Sequence, residues 1–76
     1  METEEQLKKE IEKWSAKLKE QIKDMQADND YFTKNIIAYA QDSAHFKEKG
    51  DLVRSFEAIV WAWAFYNIGK ELGEIR

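Results

Sequence analysis

The stretch that decides the fold is SFEAIVWAWAFY, which runs from Ser55 to Tyr66. Its last nine residues, from Ala58 onwards, are apolar or aromatic without interruption. A helix on the surface of a small protein usually carries one apolar stripe, whereas a helix that is apolar all round is buried all round. The stretch therefore predicts a helix that needs cover on more than one side.

The chain has 76 residues, and we interpret residues 1–76 as a single domain. A core of this size rarely contributes more than about 3–5 kcal/mol of stability without disulfides, a metal, idealised helix packing or an oligomer. The sequence contains no cysteine, which excludes disulfides and thiolate metal sites. Helix packing and self-association remain as sources of stability.

The charge pattern argues against nucleic acid and membrane partners. The net charge is −3, with both signs interleaved along the chain, whereas binding to a phosphate backbone needs a basic face. The first ten residues, METEEQLKKE, lack the apolar segment of a signal peptide. The apolar run is also shorter than the roughly 20 residues that span a bilayer. We therefore expect a cytoplasmic protein with no membrane partner.

The chain predicts an all-α fold, a three-helix bundle of antiparallel helices joined by two short turns. The predicted helices cover about residues 4–27, 31–49 and 52–72. The first turn is ADND, from Ala27 to Asp30, which is rich in turn-forming residues. In the second turn, Gly50 can adopt the left-handed conformation that ends a helix, and Asp51 can cap the next helix.

The first two helices have the apolar faces expected in a bundle. In helix one the apolar residues form a narrow stripe of Leu7, Ile11, Trp14, Leu18, Ile22 and Met25. In helix two the central stripe is Phe32, Ile36, Tyr39, Ser43 and Phe46. The rest of helix one is charged or polar, and this long polar face is either solvated or docks onto another molecule.

The third helix has two opposed apolar stripes with small residues between them. One stripe contains Leu52, Phe56, Ile59, Trp63 and Tyr66, and the other contains Trp61, Phe65, Ile68 and Leu72. The small residues, which predict close helix packing, include Ala58, Ala62, Gly69 and Gly73. Because a glycine inside a helix costs about 1 kcal/mol relative to alanine, Gly69 predicts that another helix backbone lies close to it.

Two arrangements would cover both stripes of the third helix. Either this helix lies in the middle of the domain with the other two on opposite sides, or a second copy of the chain covers the stripe that contains Trp61. Trp14, Trp63 and Tyr66 are predicted in the core, whereas Trp61 and Phe65 fit a core and an interface equally well. Tryptophan and tyrosine are also the residue types that dominate binding hot spots.

No residue pattern indicates catalysis or metal binding. Asp42, His45 and Glu48 are three residues apart and could face one ion, but the sequence has no second histidine, and a solvated helix face explains them. Asp42 and Glu57, at the borders of apolar stripes, are better explained as salt-bridge or helix-cap partners than as an acid–base pair. Asn67, at an apolar edge, is interpreted as a structural polar contact. We predict no enzyme activity, no cofactor and no metal.

The segment YAQDSAHFKEKGDLVRSFEAIVWAWAFYNIGKELG, from Tyr39 to Gly73, resembles the small, mostly archaeal family known as domain of unknown function 357. The resemblance covers about residues 31–73. The positions that fit the family pattern are Tyr39, Asp42, Phe46, Gly50, Asp51, Glu57, Ala58, Ala62, Gly69, Leu72 and Gly73. Ser55, Trp61, Asn67 and Ile68 stand where the family more often has Ala, Tyr, Asp and Ala. The resemblance implies a compact helical domain and no particular activity.

These observations predict a protein-interaction module that is a homodimer or binds another protein. The predicted interface is the stripe of Trp61, Phe65, Ile68 and Leu72. The alternative is a nucleotide- or nucleic-acid-associated accessory domain that lends an aromatic surface to a partner enzyme. Such surfaces are normally interleaved with lysine and arginine, and the sequence has neither between Glu57 and Asn67.

Overall fold

The computed structural model of the protein describes residues 2–26 and 30–76, which form three helices. They are α1 (Glu2–Asp24), α2 (Asp30–Glu48) and α3 (Leu52–Glu71). The predicted all-α, three-helix fold is thus confirmed. Helix α1 ends at Asp24, before its predicted end near Ala27, and most of the predicted ADND turn lies outside the described residues.

The turn between α2 and α3 is built on Gly50, which has a φ of +80°. The Gly50 N–H donates to the Lys47 carbonyl at 3.0 Å, and the Asp51 N–H donates to the Phe46 carbonyl at 2.9 Å. This pair of bonds is a Schellman motif, which satisfies the last carbonyls of a helix. The Asp51 carboxylate then accepts from the Arg54 N–H at 3.1 Å and caps α3.

Helix α3 is the central element because α1 and α2 both pack on it and make little contact with each other. The contact with α2 is the more extensive of the two. Where α1 and α2 do meet, the Lys47 ammonium lies 3.4 Å from the Glu12 carboxylate. Two neighbours do not enclose α3 completely, and part of its apolar surface remains exposed.

The contact between α2 and α3 contains a buried pair of serines. The Ser43 hydroxyl donates to the Ser55 carbonyl at 2.8 Å, and the Ser55 hydroxyl donates to the Ser43 carbonyl at 2.7 Å. Both residues are fully buried, and Ala58 and Ala62 are buried on the same side of α3. Small side chains let the two helices approach closely, and the reciprocal bonds satisfy both hydroxyl groups.

Beyond α3, the chain turns back and inserts Ile75 into the core. Gly73 has a φ of +75°, and the Glu74 N–H donates to the Gly69 carbonyl at 2.9 Å, which forms a second Schellman motif. Ile75 is buried as a result, and the backbones of Arg76 and Gln26 exchange two hydrogen bonds. The C-terminal residues therefore close one end of the bundle.

This turn corrects two predictions about glycine. A Cβ atom on Gly69 would lie 2.5 Å from Ile75 Cδ1 and 3.2 Å from Phe32 Cγ. Gly69 thus makes room for two side chains, not for the backbone of another helix. A Cβ atom on Gly73 would meet nothing within 4 Å, so the predicted close packing does not hold there. Gly73 ends the helix through its left-handed backbone.

Candidate functional site

The outer face of α3, which consists of Val60, Trp61, Ile68 and Leu72, is apolar and exposed. The exposed fractions of these side chains are 49%, 55%, 48% and 66%, respectively. The sequence from Ala58 to Gly69 contains no charged residue, so no charge interrupts this face between Glu57 and Lys70. Scattered apolar residues on a surface are normal, whereas a contiguous apolar face suggests a binding surface.

Phe65 differs from the other three residues of the predicted interface stripe. Its ring stacks on Tyr39 at a centroid distance of 5.6 Å and lies 6.4 Å from Phe32. Phe65 is half-buried and packs against the core. The structure therefore places Trp61, Ile68 and Leu72 at the surface and uses Phe65 mainly in the contact with α2.

Trp61 is held in place on one side only. Tyr39 of α2 stacks on it with a centroid distance of 6.2 Å and an interplanar angle of 22°. More than half of the Trp61 side chain remains exposed. A large, rigid aromatic group that is already oriented loses little conformational freedom on binding, which favours its use in an interface.

A groove lies between α1 and α3 and has a volume of about 480 Å³. Trp14 of α1 forms one wall, and the α3 side is lined by Phe56, Val60, Trp63 and Ala64. The two tryptophan rings meet edge to face at 5.7 Å, and the Trp63 indole N–H donates to the Trp14 carbonyl at 3.1 Å. We refer to this cavity as the α1/α3 groove.

The chemistry of the α1/α3 groove is apolar, with polar groups at its edges. Asn67 lines the groove at the C-terminal end of its α3 row and is exposed, not the structural polar contact that the sequence predicts. Lys17 Nζ and Lys13 Nζ lie 4.9 and 5.4 Å from the centroid of the Trp14 ring. The Trp14 indole N–H donates to the Glu10 carboxylate at 3.0 Å.

The titratable residues considered in the sequence lie at the surface. Asp42, His45 and Glu48 are exposed on α2. Asp42 and Glu57 line the same shallow groove between α2 and α3, together with Arg54. Within residues 2–26 and 30–76, no group of three or more His, Asp or Glu side chains is arranged to hold a metal ion. No helix in the described ranges is long and apolar enough to cross a bilayer.

The family model described as "Protein of unknown function (DUF357)" matches residues 4–75. The chain belongs to the DUF357 family. The match extends the resemblance noted from residues 31–73 to include α1, so all three helices are part of the family domain.

A solved structure of the same family has the same fold as this DUF357 domain. It is the crystal structure of protein AF1782 from Archaeoglobus fulgidus, which is 46% identical and has a TM-score of 0.93. The alignment covers 97% of this chain and 96% of that one. The comparison with curated proteins gives no match.

The sequence predicted Trp61, Ile68 and Leu72 of the outer face of this DUF357 domain but neither Val60 nor the α1/α3 groove. Trp14 and Trp63 fit a core interpretation, and they do contact each other, but both are only half-buried. The available signal was the spacing of Phe56, Val60, Trp63 and Asn67, which puts them in one row along the helix. These residues line a groove because α1 covers this side of α3 incompletely.

Proposed function

We propose that this DUF357 domain is a protein-interaction module that forms a homodimer through the outer face of α3. The observation that carries the proposal is the exposure of Val60, Trp61, Ile68 and Leu72 on a helix that has no charged residue between positions 58 and 69. Packing this face against a second copy would remove it from water without any change in the fold.

The size of the domain supports self-association. A 76-residue chain buries a small core, and association adds apolar burial that one copy lacks. Trp61 and Leu72 provide the largest exposed groups, and burial of apolar area contributes about 25 cal/mol per Å² before the costs of association. A second copy of the same chain is the simplest partner, because its outer face of α3 has the same apolar side chains.

The test is sedimentation equilibrium of the purified chain and of Ile68→Glu, over a wide range of protein concentration. We expect a dimer mass for the unmodified chain and a monomer mass for Ile68→Glu, because a buried, unpaired carboxylate in an apolar interface is strongly unfavourable. Ile68 suits the test better than Phe65, because Phe65 packs against Phe32 and Tyr39 and its replacement would also disturb the fold.

The matched control is Ile37→Glu, which makes the same change at an exposed isoleucine of α2. This variant should keep the dimer mass, and circular dichroism should show equal helicity for all three proteins. A monomer mass for the unmodified chain at every concentration would reject the homodimer. A dimer that survives Ile68→Glu would place the interface elsewhere.

The alternative, a nucleotide- or nucleic-acid-associated accessory domain, has less support. The outer face of α3 carries an exposed tryptophan but no basic residue between Glu57 and Lys70. Such a role requires binding of single-stranded oligonucleotides that weakens steeply as salt is raised. The predictions that the domain is cytoplasmic and is not an enzyme stay predictions.

A further inference from the structure

We propose that the α1/α3 groove binds a small amphipathic acid, that is, a molecule with an extended apolar body and one anionic group. The groove shares Val60 with the outer face of α3 that the proposed homodimer uses, and its other lining residues lie outside that face. Binding in the groove does not require the dimer, so the two proposals can fail independently.

The size and lining of the groove support a small-molecule ligand. Its volume of about 480 Å³ falls within the range of about 300–1,000 Å³ that is usual for small-molecule sites. Its lining is mostly apolar, with Trp14 on one wall and Ile59 and Trp63 among the residues opposite. Such sites typically combine an apolar surface with few polar groups that orient the ligand.

The shape of the groove favours an elongated apolar body. Its α3 side runs from Phe56 to Asn67, a distance of about 16 Å at 1.5 Å of rise per residue. Ala64, in this row, keeps the groove open because its side chain is small. The groove is open to solvent along one side, so a flexible chain can enter without a conformational change.

The positive charge beside Trp14, which forms the α1 wall of the groove, favours an anionic group. Lys13 and Lys17 do not line the groove themselves, but their ammonium groups lie 5.4 and 4.9 Å from the centroid of the Trp14 ring that forms its wall. Within the described residues neither forms an ion pair with a carboxylate. The Glu10 carboxylate accepts the Trp14 indole N–H at 3.0 Å, so its charge is engaged at this wall. Long, flexible lysine side chains can cover an apolar ligand with their stems and reach its anionic group.

The test uses octanoate as the probe and 1-octanol as its uncharged counterpart. Binding is followed by the chemical shifts of the three tryptophan indole N–H groups, of which Trp14 and Trp63 line the groove and Trp61 lies on the outer face. We expect saturable shifts at Trp14 and Trp63, smaller shifts at Trp61, and about fivefold tighter binding of octanoate than of 1-octanol, because each exposed ion pair contributes modestly.

Two sets of variants separate the apolar and the charged contributions. Ala64→Leu fills the groove and should weaken both probes at least about fivefold, whereas Ala44→Leu, at an exposed alanine of α2, should change neither. The double variant Lys13→Gln/Lys17→Gln should bind both probes equally, because it removes the charge and keeps the apolar groove. Ile68→Glu should retain octanoate binding, since Ile68 does not line the groove.

Several results would overturn the proposal. One is the absence of any saturable indole shift with octanoate, and another is a shift of the Trp61 signal as large as those of Trp14 and Trp63. Equal binding to the Ala64→Leu and Ala44→Leu variants would show that the ligand lies elsewhere. Binding of adenosine monophosphate in place of octanoate would assign the groove to nucleotides, and an equal affinity for octanoate and 1-octanol would remove the anionic group from the proposal.

Discussion

Helix α3 is held by its two neighbours in different ways. Against α2 it uses small residues at the centre, with the Ser43–Ser55 pair fully buried, and the rings of Trp61 and Phe65 stack on Tyr39 beside them. Against α1 it uses large side chains, among them Trp63 and Tyr66, which reach across to polar groups of the other helix. The first contact is extensive and closely packed, whereas the second is smaller and leaves a groove.

The difference shows how one helix can be both a core element and a binding surface. Small residues allow α2 to pack closely along the centre of its contact with α3, where only a shallow groove lies at the border. Large aromatic residues make the less extensive contact with α1, and the α1/α3 groove beside them is available to a ligand. We therefore expect α2 and α3 to form the more stable part of the domain, with α1 more easily released from it.

The largest expected effect comes from the contact between α2 and α3. Ile36 is fully buried in the core, so Ile36→Ala should lower the free energy of unfolding by about 2–5 kcal/mol. Urea unfolding followed by circular dichroism measures this change. The adjacent Ile37 is 37% exposed, and Ile37→Ala should change the stability by about 0.5 kcal/mol or less. Equal effects at the two positions would contradict the assignment of the core.

The next effect concerns the closure of the bundle at Gly69. Gly69→Ala should lower the free energy of unfolding by about 1–2 kcal/mol, because the cost of overpacking against Ile75 and Phe32 exceeds the gain in helix propensity. In an Ile75→Ala background, which lacks the nearest side-chain atoms, Gly69→Ala should lower the free energy of unfolding by less, or raise it. Purely additive effects in this double-mutant cycle would disprove the contact.

The smallest expected effect tests the attachment of α1. The Tyr66 hydroxyl donates to the Gln21 side chain at 2.8 Å, so Tyr66→Phe should cost about 0.5–1.5 kcal/mol. Native-state hydrogen exchange should show the loss of protection mainly in α1, with α2 unchanged. The control is Tyr39→Phe, because the ring of Tyr39 packs against Trp61 and Phe65 and the substitution keeps that ring. A uniform loss of protection in all three helices would show that α1 is not a separate unit.

The sequence was sufficient to predict three helices, because their apolar residues recur at helical spacing and Gly50–Asp51 is a strong turn signal. It also predicted that both stripes of α3 need cover, and it left open whether the second stripe is buried within the chain or lies in an interface. The position of Phe65 was harder to predict. Whether an aromatic residue at the border of a stripe packs inward depends on the neighbouring helix, here through Tyr39.

Other features depend on contacts that no local pattern records. The spacing of Ser43 and Ser55 gives no sign that they bond to each other, because the register of α2 against α3 decides it. Ile75 lies beyond the last helix, where the sequence does not show whether a single apolar residue is buried or exposed. Its burial against Gly69 is the reason that this position has no side chain, whereas the sequence suggested a close helix backbone. The α1/α3 groove depends on how incompletely α1 covers α3, which periodicity does not determine.

The separation of contacts along the chain has a consequence for folding order. The Ser43–Ser55 bonds join residues 12 positions apart, whereas the Trp63–Trp14 bond joins residues 49 positions apart. Each doubling of loop length adds about 0.6 kcal/mol of closure entropy, so the contact of α1 costs roughly 1.2 kcal/mol more to close. The α2–α3 hairpin should therefore form first. During synthesis α1 leaves the ribosome before α2 and α3. Its apolar stripe therefore remains exposed to water until α3 has been synthesised.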